Sequence, residues 1–365
     1  MKRPQTRPRA RSSAVVRALF AFATVVTLAS LTAVVAHVVN TAAGLVAVGG
    51  PDASDRSPIP DSPVAASDQT GEGEVIASWT LLESLVRRRQ IEREVSALLP
   101  EGTRLEFRSW LSLSFVTRGY SPNPLRTGIR GALIGSVWMV AIAVVVAVPT
   151  GVAAAIYLEE FCPRDLLRKA MRESVHLLAG VPSVVYGLIG LVLFVRFLGP
   201  LTSGAAFGAT ATRVPTGRTI VSAGLTLALL TLPRIVIAAE QAINAVEPRV
   251  RLAAFSVGAT RWQVVRDHVL PQAGPEIGAA AILAIARAVG DAAIVIMVGA
   301  STVVIADPGP FAAFTALPVV AYQWAMRPDA SYRGLASAAL LVLLLLVVVL
   351  NAAAAVARSR ARRTR

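Results

Sequence analysis

The fold class is decided by one stretch near the C-terminus, GLASAALLVLLLLVVVLNAAAAVA (Gly334–Ala357), which contains an unbroken apolar run from Leu340 to Leu350. A helix needs about 20 apolar residues to cross the hydrocarbon core of a bilayer, whereas the core of a soluble protein requires no run of this length. The composition agrees, since 55% of the 365 residues are hydrophobic and 16% are charged. The sequence therefore predicts an all-α membrane protein.

Other apolar segments of comparable length lie upstream of this one. The six candidate spans are Ala14–Ala36, Ala132–Val148, Leu177–Val195, Ile220–Ala239, Ile277–Ala300 and Gly334–Ala357. Pro233 and Arg234 interrupt the fourth near one end, which a membrane helix tolerates when neighbouring groups compensate and the Arg reaches the interface. The first follows a basic N-terminus, as a cleaved signal peptide does. Its apolar stretch is about twice as long as the apolar region of an ordinary signal peptide, which favours an uncleaved anchor.

The net charge of +14 does not indicate a nucleic-acid-binding protein, because the basic residues flank the apolar spans. An even number of spans places both tails on one side. The tails and the two loops on that side hold 20 of the 36 Lys and Arg residues, and the short loops opposite hold 5. The positive-inside rule then predicts a multi-pass membrane protein with both termini in the cytoplasm and with lipid as its surroundings.

The reactive side chains exclude several classes of site. Cys162 is the only cysteine of the chain, the three histidines form no H-E-x-x-H motif, and the two lysines, Lys2 and Lys169, follow no phosphate-binding Gly-rich loop. A disulfide framework, a zinc hydrolase and a nucleotide-binding P-loop therefore have no support. We expect no metal, no cofactor and no catalytic residue in this chain.

The segment between the first two spans lacks the apolar pattern. Residues Gly49–Gly73 are rich in Pro, Asp, Ser and Gly, a composition that predicts an external linker without a packed core. After it, Leu82, Val86, Val95 and Leu98 recur at near-helical spacing with charges between them and predict one amphipathic external helix. That helix is either a docking surface for an extracytoplasmic partner or a solvated helix lying on the membrane.

The loop before the fifth span reads AVEPRVRLAAFSVGATRWQVVRDHVLP, from Ala245 to Pro271. Its residues predict a Pro-bounded amphipathic helix, a tight turn at Gly258 and a second helix. Such a loop can dock into a groove of a soluble partner and pass its motion to the spans, or it can be an ordinary helix on the membrane surface. The loop resembles the E-A-A-x3-G-x9-I-x-L-P segment of ABC importer permeases. The residues that carry this coupling loop are Leu252 (Glu in the family), Ala253, Ala254, Gly258, Ala259, His268 (Ile in the family), Leu270 and Pro271.

Further stretches narrow the family. They are PTGVAAAIYLEEF from Pro149, LAGVPSVVYGLIGLVLFVRFLG from Leu178, AILAIARAVGD from Ala281 and FTALPVVAYQWAMRP from Phe314. Together they resemble the PstA-type permease of the phosphate-specific ABC importer, from about Trp110 to the C-terminus. The resemblance implies a MetI-like type I permease core with an extra N-terminal span. The expected organisation is residues 1–48 for the basic tail and first span, 49–108 for an external insertion, 109–357 for the permease domain and 358–365 for a basic tail.

The same resemblance implies the partners. These are a homologous permease of PstC type, cytoplasmic ATP-binding subunits of PstB type and an extracytoplasmic phosphate-binding protein of PstS type. ATP hydrolysis is then expected on a separate subunit, and this chain is not an enzyme. Two alternatives stay open. The first is a permease for another oxyanion, such as sulfate, molybdate or phosphonate, and the second is a membrane scaffold that reports phosphate status to a sensor kinase without transport.

Two charged residues, Arg287 and Asp291, fall inside the predicted fifth span, four positions apart and thus on one face of a helix. A charge at mid-membrane costs roughly 2.5 to 3.5 kcal/mol, so both must face protein, water or each other. In the family's R-A-I-G-E motif the Arg is thought to help the anion pass and the Glu, here Asp291, to balance it. The planar donors of Arg match phosphate oxygens. The alternative is a structural salt bridge that pins helices together.

Overall fold

The structure is a computed structural model, which describes residues 9–48, 75–98, 103–163, 165–207, 217–300 and 308–363. The chain divides into two compact units, Met1–Trp110 and Leu111–Arg365. The predicted linker, Gly49–Gly73, lies outside the described residues.

The first unit joins one long helix to a small three-stranded antiparallel sheet with the order β2-β1-β3. The long helix contains a candidate membrane span, Phe20–Thr41, none of which is buried. The elements in chain order are α1 (Arg9–Thr41), β1 (Ala43–Val48), β2 (Val75–Ser78), α2 (Leu81–Val86), α3 (Arg88–Leu98) and β3 (Arg104–Ser109).

The sheet packs on α3. Leu45 and Ala47 of β1 lie on one face because side chains alternate along a strand, and they contact Ile91 and Val95 of α3 in a small apolar cluster. Strand β1, at the end of the predicted 1–48 segment, pairs with strands β2 and β3 from the predicted insertion. The folded part of the insertion therefore shares one sheet with the residues that follow the first span.

The prediction of one amphipathic helix in this region is wrong. A capping box between Thr80 and Glu83 starts α2, and Arg87, with φ −111°, ends it before α3 begins. Val95 is buried as the spacing suggests, but Val86 is exposed. The predicted spacing from Leu82 to Leu98 runs across the break at Arg87, so its apolar positions belong to two helices with different neighbours.

The described part of the second unit contains helices and loops and no strand. Four α-helices continue into or out of three π-helical turns, which lie at Tyr157–Phe161, Leu191–Phe197 and Val265–Val269. The α-helices in chain order are α4 (Leu113–Thr117), α5 (Arg130–Ile156), α6 (Asp165–Ala179), α7 (Ser183–Gly190), α8 (Gly199–Thr202), α9 (Ile220–Asn244), α10 (Pro248–Ser256), α11 (Arg261–Val264), α12 (Leu270–Val289), α13 (Ala292–Val298), α14 (Leu317–Ala325) and α15 (Ala330–Arg363).

Five described helices are long and apolar enough to cross a membrane, or six if a bent pair counts as one span. The prediction of a helical membrane protein is thereby confirmed, and the small sheet of the first unit is the part that the all-α prediction missed. The five are Phe20–Thr41, Arg130–Phe161, Ile220–Asn244, Arg261–Val289 and Ser331–Ser359, and the bent pair is Asp165–Ala179 with Ser183–Phe197.

The predicted third span, Leu177–Val195, crosses a sharp bend and is therefore wrong in its first turns. Helices α6 and α7 meet at an angle of 98°. Pro182 caps α7 with ψ 142°, and a residue that precedes a Pro avoids the helical region, so α6 cannot continue through Val181. The apolar helix after the bend begins at Ser183 and counts as a span only together with α6.

The centre of the second unit is the contact between α5 and α9, and small residues allow it. A Cβ on Gly224 of α9 would lie 2.7 Å from Ile142 Cβ of α5, and one on Gly151 of α5 would lie 2.8 Å from Ile235 Cγ2 of α9. Backbones can approach this closely only where side chains are absent. Helix α12 also packs against α9, so the loop that joins them is held at both ends.

Candidate functional site

The coupling loop has the predicted form of two helices around a tight turn. Pro248 opens α10, where the missing N–H of proline costs no hydrogen bond. Gly258 takes φ +82°, and the Ala259 N–H closes the helix end by donating to the Ala254 carbonyl at 3.2 Å. A Cβ on Gly258 would meet nothing within 4 Å, so this position needs glycine for its backbone and not for space. Thr260 and Gln263 then form a capping box that starts α11.

The loop divides its side chains between two faces. Ala254, Ala259 and Leu270 pack in an apolar cluster with Leu158 and Ile243 at the ends of the spans. Pro271 stands exposed in the first turn of α12. The other face carries apolar side chains that no described residue covers. We call these residues the coupling surface: Leu252, Phe255, Val257 and Trp262, which are 65%, 43%, 84% and 54% exposed, beside the exposed Ala253.

One arginine fixes α10 to two spans. Arg251 donates from Nη1 to the Val246 carbonyl and from Nη2 to the Ile243 carbonyl, both at 2.8 Å, and from Nε to Glu160 Oε1 at 3.1 Å. Ile243 lies in the last turn of α9, Val246 lies two residues past its end, and Glu160 lies in the π-helical turn after α5. The Arg251 and Glu160 side chains are 19% and 16% exposed. The Arg251 guanidinium, which also caps the end of α9, is therefore largely shielded from water.

A second arginine joins a further pair of elements. Arg172 of α6 contacts Glu159, next to Glu160 in the same π-helical turn, and its Nε lies 3.6 Å from Glu240 Oε2 of α9. The Glu159 and Glu240 side chains are only 7% and 5% exposed. We call the set of Glu159, Glu160, Arg172, Glu240 and Arg251 the ion-pair cluster. It connects the C-terminal ends of α5 and α9 and the middle of α6 with α10.

Sequence reasoning did not find this cluster. The paired residues of the cluster are up to 91 positions apart in the chain. Neither Arg172 nor Arg251 lies in a sequence motif that indicates its carboxylate partner. The available signal was the pair Glu159–Glu160, since two adjacent carboxylates at the end of an apolar span need cations nearby.

The two residues predicted for the pathway do not share a helix face. Helix α12 ends at Val289, and Asp291 is the N-cap of α13, where its Oδ1 accepts a hydrogen bond from the Ala293 N–H at 3.1 Å. The predicted fifth span, Ile277–Ala300, is therefore wrong as one continuous helix. Arg287 is exposed in the last turn of α12, and within the described ranges no carboxylate lies within 4.0 Å of its guanidinium.

Residues 147–363 match the family of binding-protein-dependent transport system inner membrane components. The match covers more than half of the chain. The chain belongs to this family. Together with the candidate spans, membership identifies a multi-pass inner-membrane protein.

Several curated relatives are similar to this family member. A probable ABC transporter permease protein, YqgH of Bacillus subtilis, is 31% identical over 211 residues, which cover 54% of this chain and 64% of the relative. The phosphate transport system permease protein PstC of Mesorhizobium japonicum is 32% identical over 198 residues, covering 50% and 60%. PstA 1 of Mycobacterium tuberculosis is 33% identical over 185 residues, covering 50% and 55%. The chain spans less than two thirds of the length of these relatives.

Solved structures of transporters are also similar. An inward-facing MetNI methionine ABC transporter chain is 20% identical, with a TM-score of 0.44 and coverage of 63% of this chain and 94% of that one. A bacterial alginate ABC transporter chain is 16% identical, with a TM-score of 0.46 and coverage of 77% and 91%.

The matched range of this family member contains the coupling loop, Arg287, Asp291 and the whole ion-pair cluster. It excludes the first unit. The sheet and the helices α2 and α3 therefore lie outside the sequence range that assigns the chain to its family.

Proposed function

We propose that the chain is a permease subunit of an ATP-driven ABC importer for inorganic phosphate, and that it forms the translocation pathway with a homologous permease. Family membership and relatives named as Pst permeases support this proposal. The partners are then the second permease, of PstC type if this chain is of PstA type, PstB-type ATP-binding subunits and a PstS-type binding protein. Both termini lie in the cytoplasm, ATP is hydrolysed on the separate subunits, and this chain carries no cofactor.

The observation that carries the proposal is the coupling surface on an anchored helix. Leu252 and Val257 are exposed on α10 and at its end, while Arg251 on the same helix is fixed to α9 and to the turn after α5. An apolar helix face that docks into a groove of a soluble partner can pass that partner's movement to the spans only if it is held rigidly. The region from 245 to 271 thus couples ATP hydrolysis to the opening of the pathway.

Arg287 and Asp291 are our candidates for the substrate pathway. Arg287 has no carboxylate partner among the described residues, so the N–H groups of its guanidinium can donate to an anion. Asp291, just past the end of α12, is our candidate for the negative charge that balances the arginine. Conduction requires binding strong enough for entry and weak enough for release, and a nearby carboxylate limits how tightly the anion is held.

Uptake of radiolabelled phosphate tests this proposal in cells that lack the chain and are complemented with variants. We expect Arg287→Gln to abolish uptake while the protein still inserts and assembles, because length and polarity are kept and the charge is lost. Arg118→Gln is the matched control, since Arg118 is exposed and lies outside both the coupling loop and the candidate pathway. Normal uptake by a correctly inserted Arg287→Gln chain would remove Arg287 from the pathway.

Unlabelled sulfate, molybdate and phosphonate as competitors separate phosphate from the other oxyanions in the same assay. Competition by one of them at the level of unlabelled phosphate would favour that anion instead. A phosphate-responsive reporter measured beside uptake addresses the scaffold alternative. Normal reporter control without any transport by the wild-type complex would support a scaffold and contradict a permease.

A further inference from the structure

The first unit holds a short helix at the end of its membrane span. The candidate span Phe20–Thr41 has 22 residues, about 33 Å at 1.5 Å per residue, which matches a hydrocarbon core of about 30 Å. The Leu82 N–H, in the first turn of α2, donates to Asn40 Oδ1 at 2.8 Å. Helix α2 therefore begins at the level where α1 leaves the hydrocarbon.

Helix α2 turns an apolar face outward. Leu82, Leu85 and Val86 stand at positions i, i+3 and i+4, which share one face of a helix, and they are 59%, 68% and 80% exposed. Leu85 also lines a groove of about 530 Å³ with Phe107 of β3, which is 59% exposed. Side chains of this size are buried in most soluble proteins, and a contiguous exposed set of them marks a contact surface.

The borders of this face carry the residues that favour a lipid interface. Arg87, Arg88 and Arg89 follow Val86 directly, and Arg88 Nε lies 3.1 Å from Glu92 Oε1 in an exposed pair. Trp79 precedes the helix and is half-buried, and its backbone N–H donates to the Leu45 carbonyl at 2.9 Å. Tryptophan and arginine beside leucine are typical of segments that lie at the boundary between headgroups and acyl chains.

We propose that α2 inserts its apolar face into the leaflet in which α1 ends, with Leu82, Leu85 and Val86 among the acyl chains and the three arginines at anionic headgroup phosphates. The hydrogen bond to Asn40 keeps the helix within reach of that leaflet, since interfacial helices bury their apolar face to a depth of about 5 to 10 Å. The arginines supply charge complementarity to anionic lipid. This contact lies outside the residues that place the chain in its family and does not depend on the transported substrate.

An environment-sensitive fluorophore on a single introduced cysteine tests the contact in the full-length chain. Val86→Cys reports on the apolar face, and Glu94→Cys on the exposed face of α3 is the matched control. The native Cys162 is buried, so wild-type labelling gives the background. In nanodiscs of phosphatidylcholine and phosphatidylglycerol we expect blue-shifted emission from the fluorophore in Val86→Cys, and a lipid-borne nitroxide should quench at least about half of it, as for a group at the acyl boundary.

Equal, water-like emission and absent quenching in both variants would overturn the proposal. Emission in Val86→Cys that shifts only when an extracytoplasmic binding protein is added would overturn it in favour of protein docking. Adding Arg87→Gln, Arg88→Gln and Arg89→Gln to the Val86→Cys chain should lower its quenching at least about twofold in the anionic nanodiscs, as expected for lost headgroup attraction. Unchanged quenching in that combined variant would contradict the role of the arginines.

Discussion

Helices α10 and α2 both expose large apolar side chains, yet they are anchored in different ways. Arg251 joins α10 to two spans through one ion pair and two hydrogen bonds to carbonyls. Helix α2 is held by neutral hydrogen bonds, one from the Leu82 N–H to Asn40 at the end of a single span and one from the Leu45 N–H of β1 to Ser84 Oγ. An apolar face on a helix that is fixed to two spans can transmit movement between them, whereas one on a helix that is tied to one span can adjust its depth in a lipid leaflet. The difference suggests separate roles for two superficially similar surfaces.

The largest expected effect comes from breaking the anchor of α10. Arg251→Ala leaves Glu160 without this partner where it is 16% exposed, and removal of one partner of such a partly buried pair costs up to about 3 kcal/mol. We expect a clear drop in the melting temperature of the complex and loss of binding-protein-stimulated ATP hydrolysis. Arg249→Ala, on the same helix but 89% exposed, is the control and should behave like wild type. Full stimulation in Arg251→Ala would show that the anchor does not transmit movement.

Substitutions at Gly258 test the shape of the same loop and leave the ion pair between Arg251 and Glu160 in place. At φ +82° a side chain costs roughly 1 to 2 kcal/mol, least for Asn, which adopts this conformation more readily than other residues. Gly258→Asp should reduce pull-down of the ATP-binding subunits at least about tenfold, through backbone strain together with a charge beside the coupling surface. Gly258→Asn, of the same size without the charge, should retain most of the binding. Equal loss in both variants would assign the effect to backbone strain alone.

The apolar cluster under β1 tests whether the first unit is energetically separate from the coupling loop. Ile91→Ala removes a side chain that is 2% exposed and should destabilise the small sheet by about 2 to 5 kcal/mol. We expect faster proteolysis within residues 75–109 and unchanged phosphate uptake. Val86→Ala is the control, because Val86 is exposed outside that cluster. Loss of uptake in Ile91→Ala at normal protein level would link the sheet to transport.

The smallest effect concerns the start of α2. Hydrogen bonds from the Thr80 backbone and side chain lower the pKa of Glu83 below its ordinary value of 4.5, with Arg87 adding a smaller effect in the same direction. A lowered pKa in the folded state contributes stability that is complete above the ordinary pKa and is lost as the pH falls through the lowered one. Because Glu83 is exposed, we expect less than about 0.5 kcal/mol. Hydrogen exchange of the α2 amides should be faster in Glu83→Gln than in wild type at pH 7, and the difference should vanish in acid.

The sequence predicted the parts of the molecule that local chemistry determines. Pro248 and Gly258 mark the limits of α10, and both act on their own backbone, so no distant partner is needed to recognise them. Long apolar runs such as Leu340–Leu350 determine the membrane class for the same reason. The bend at Pro182 was also local, but an averaged apolar window that crosses it conceals the break.

The missed features depend on partners that are distant in the chain. The pair Arg251–Glu160 and the pairing of β1 with β3 need residues brought together by the whole fold. Strands of four to six residues also carry too few alternating positions to stand out from a helical pattern. The separation of Arg287 from Asp291 follows from a helix end at Gly290, where glycine alone does not distinguish a stop from a packing position.

The π-helical turn Tyr157–Phe161 has a consequence for how the chain can vary. Its adjacent carboxylates serve different elements, Glu159 toward α6 and Glu160 toward α10. Inserting or deleting one residue before them would rotate both by about 100° around the helix axis and separate each from its arginine. Long external loops absorb such length changes at little entropic cost. We therefore expect natural insertions to accumulate in the first unit and to be absent from α5 and the π-helical turn that follows it.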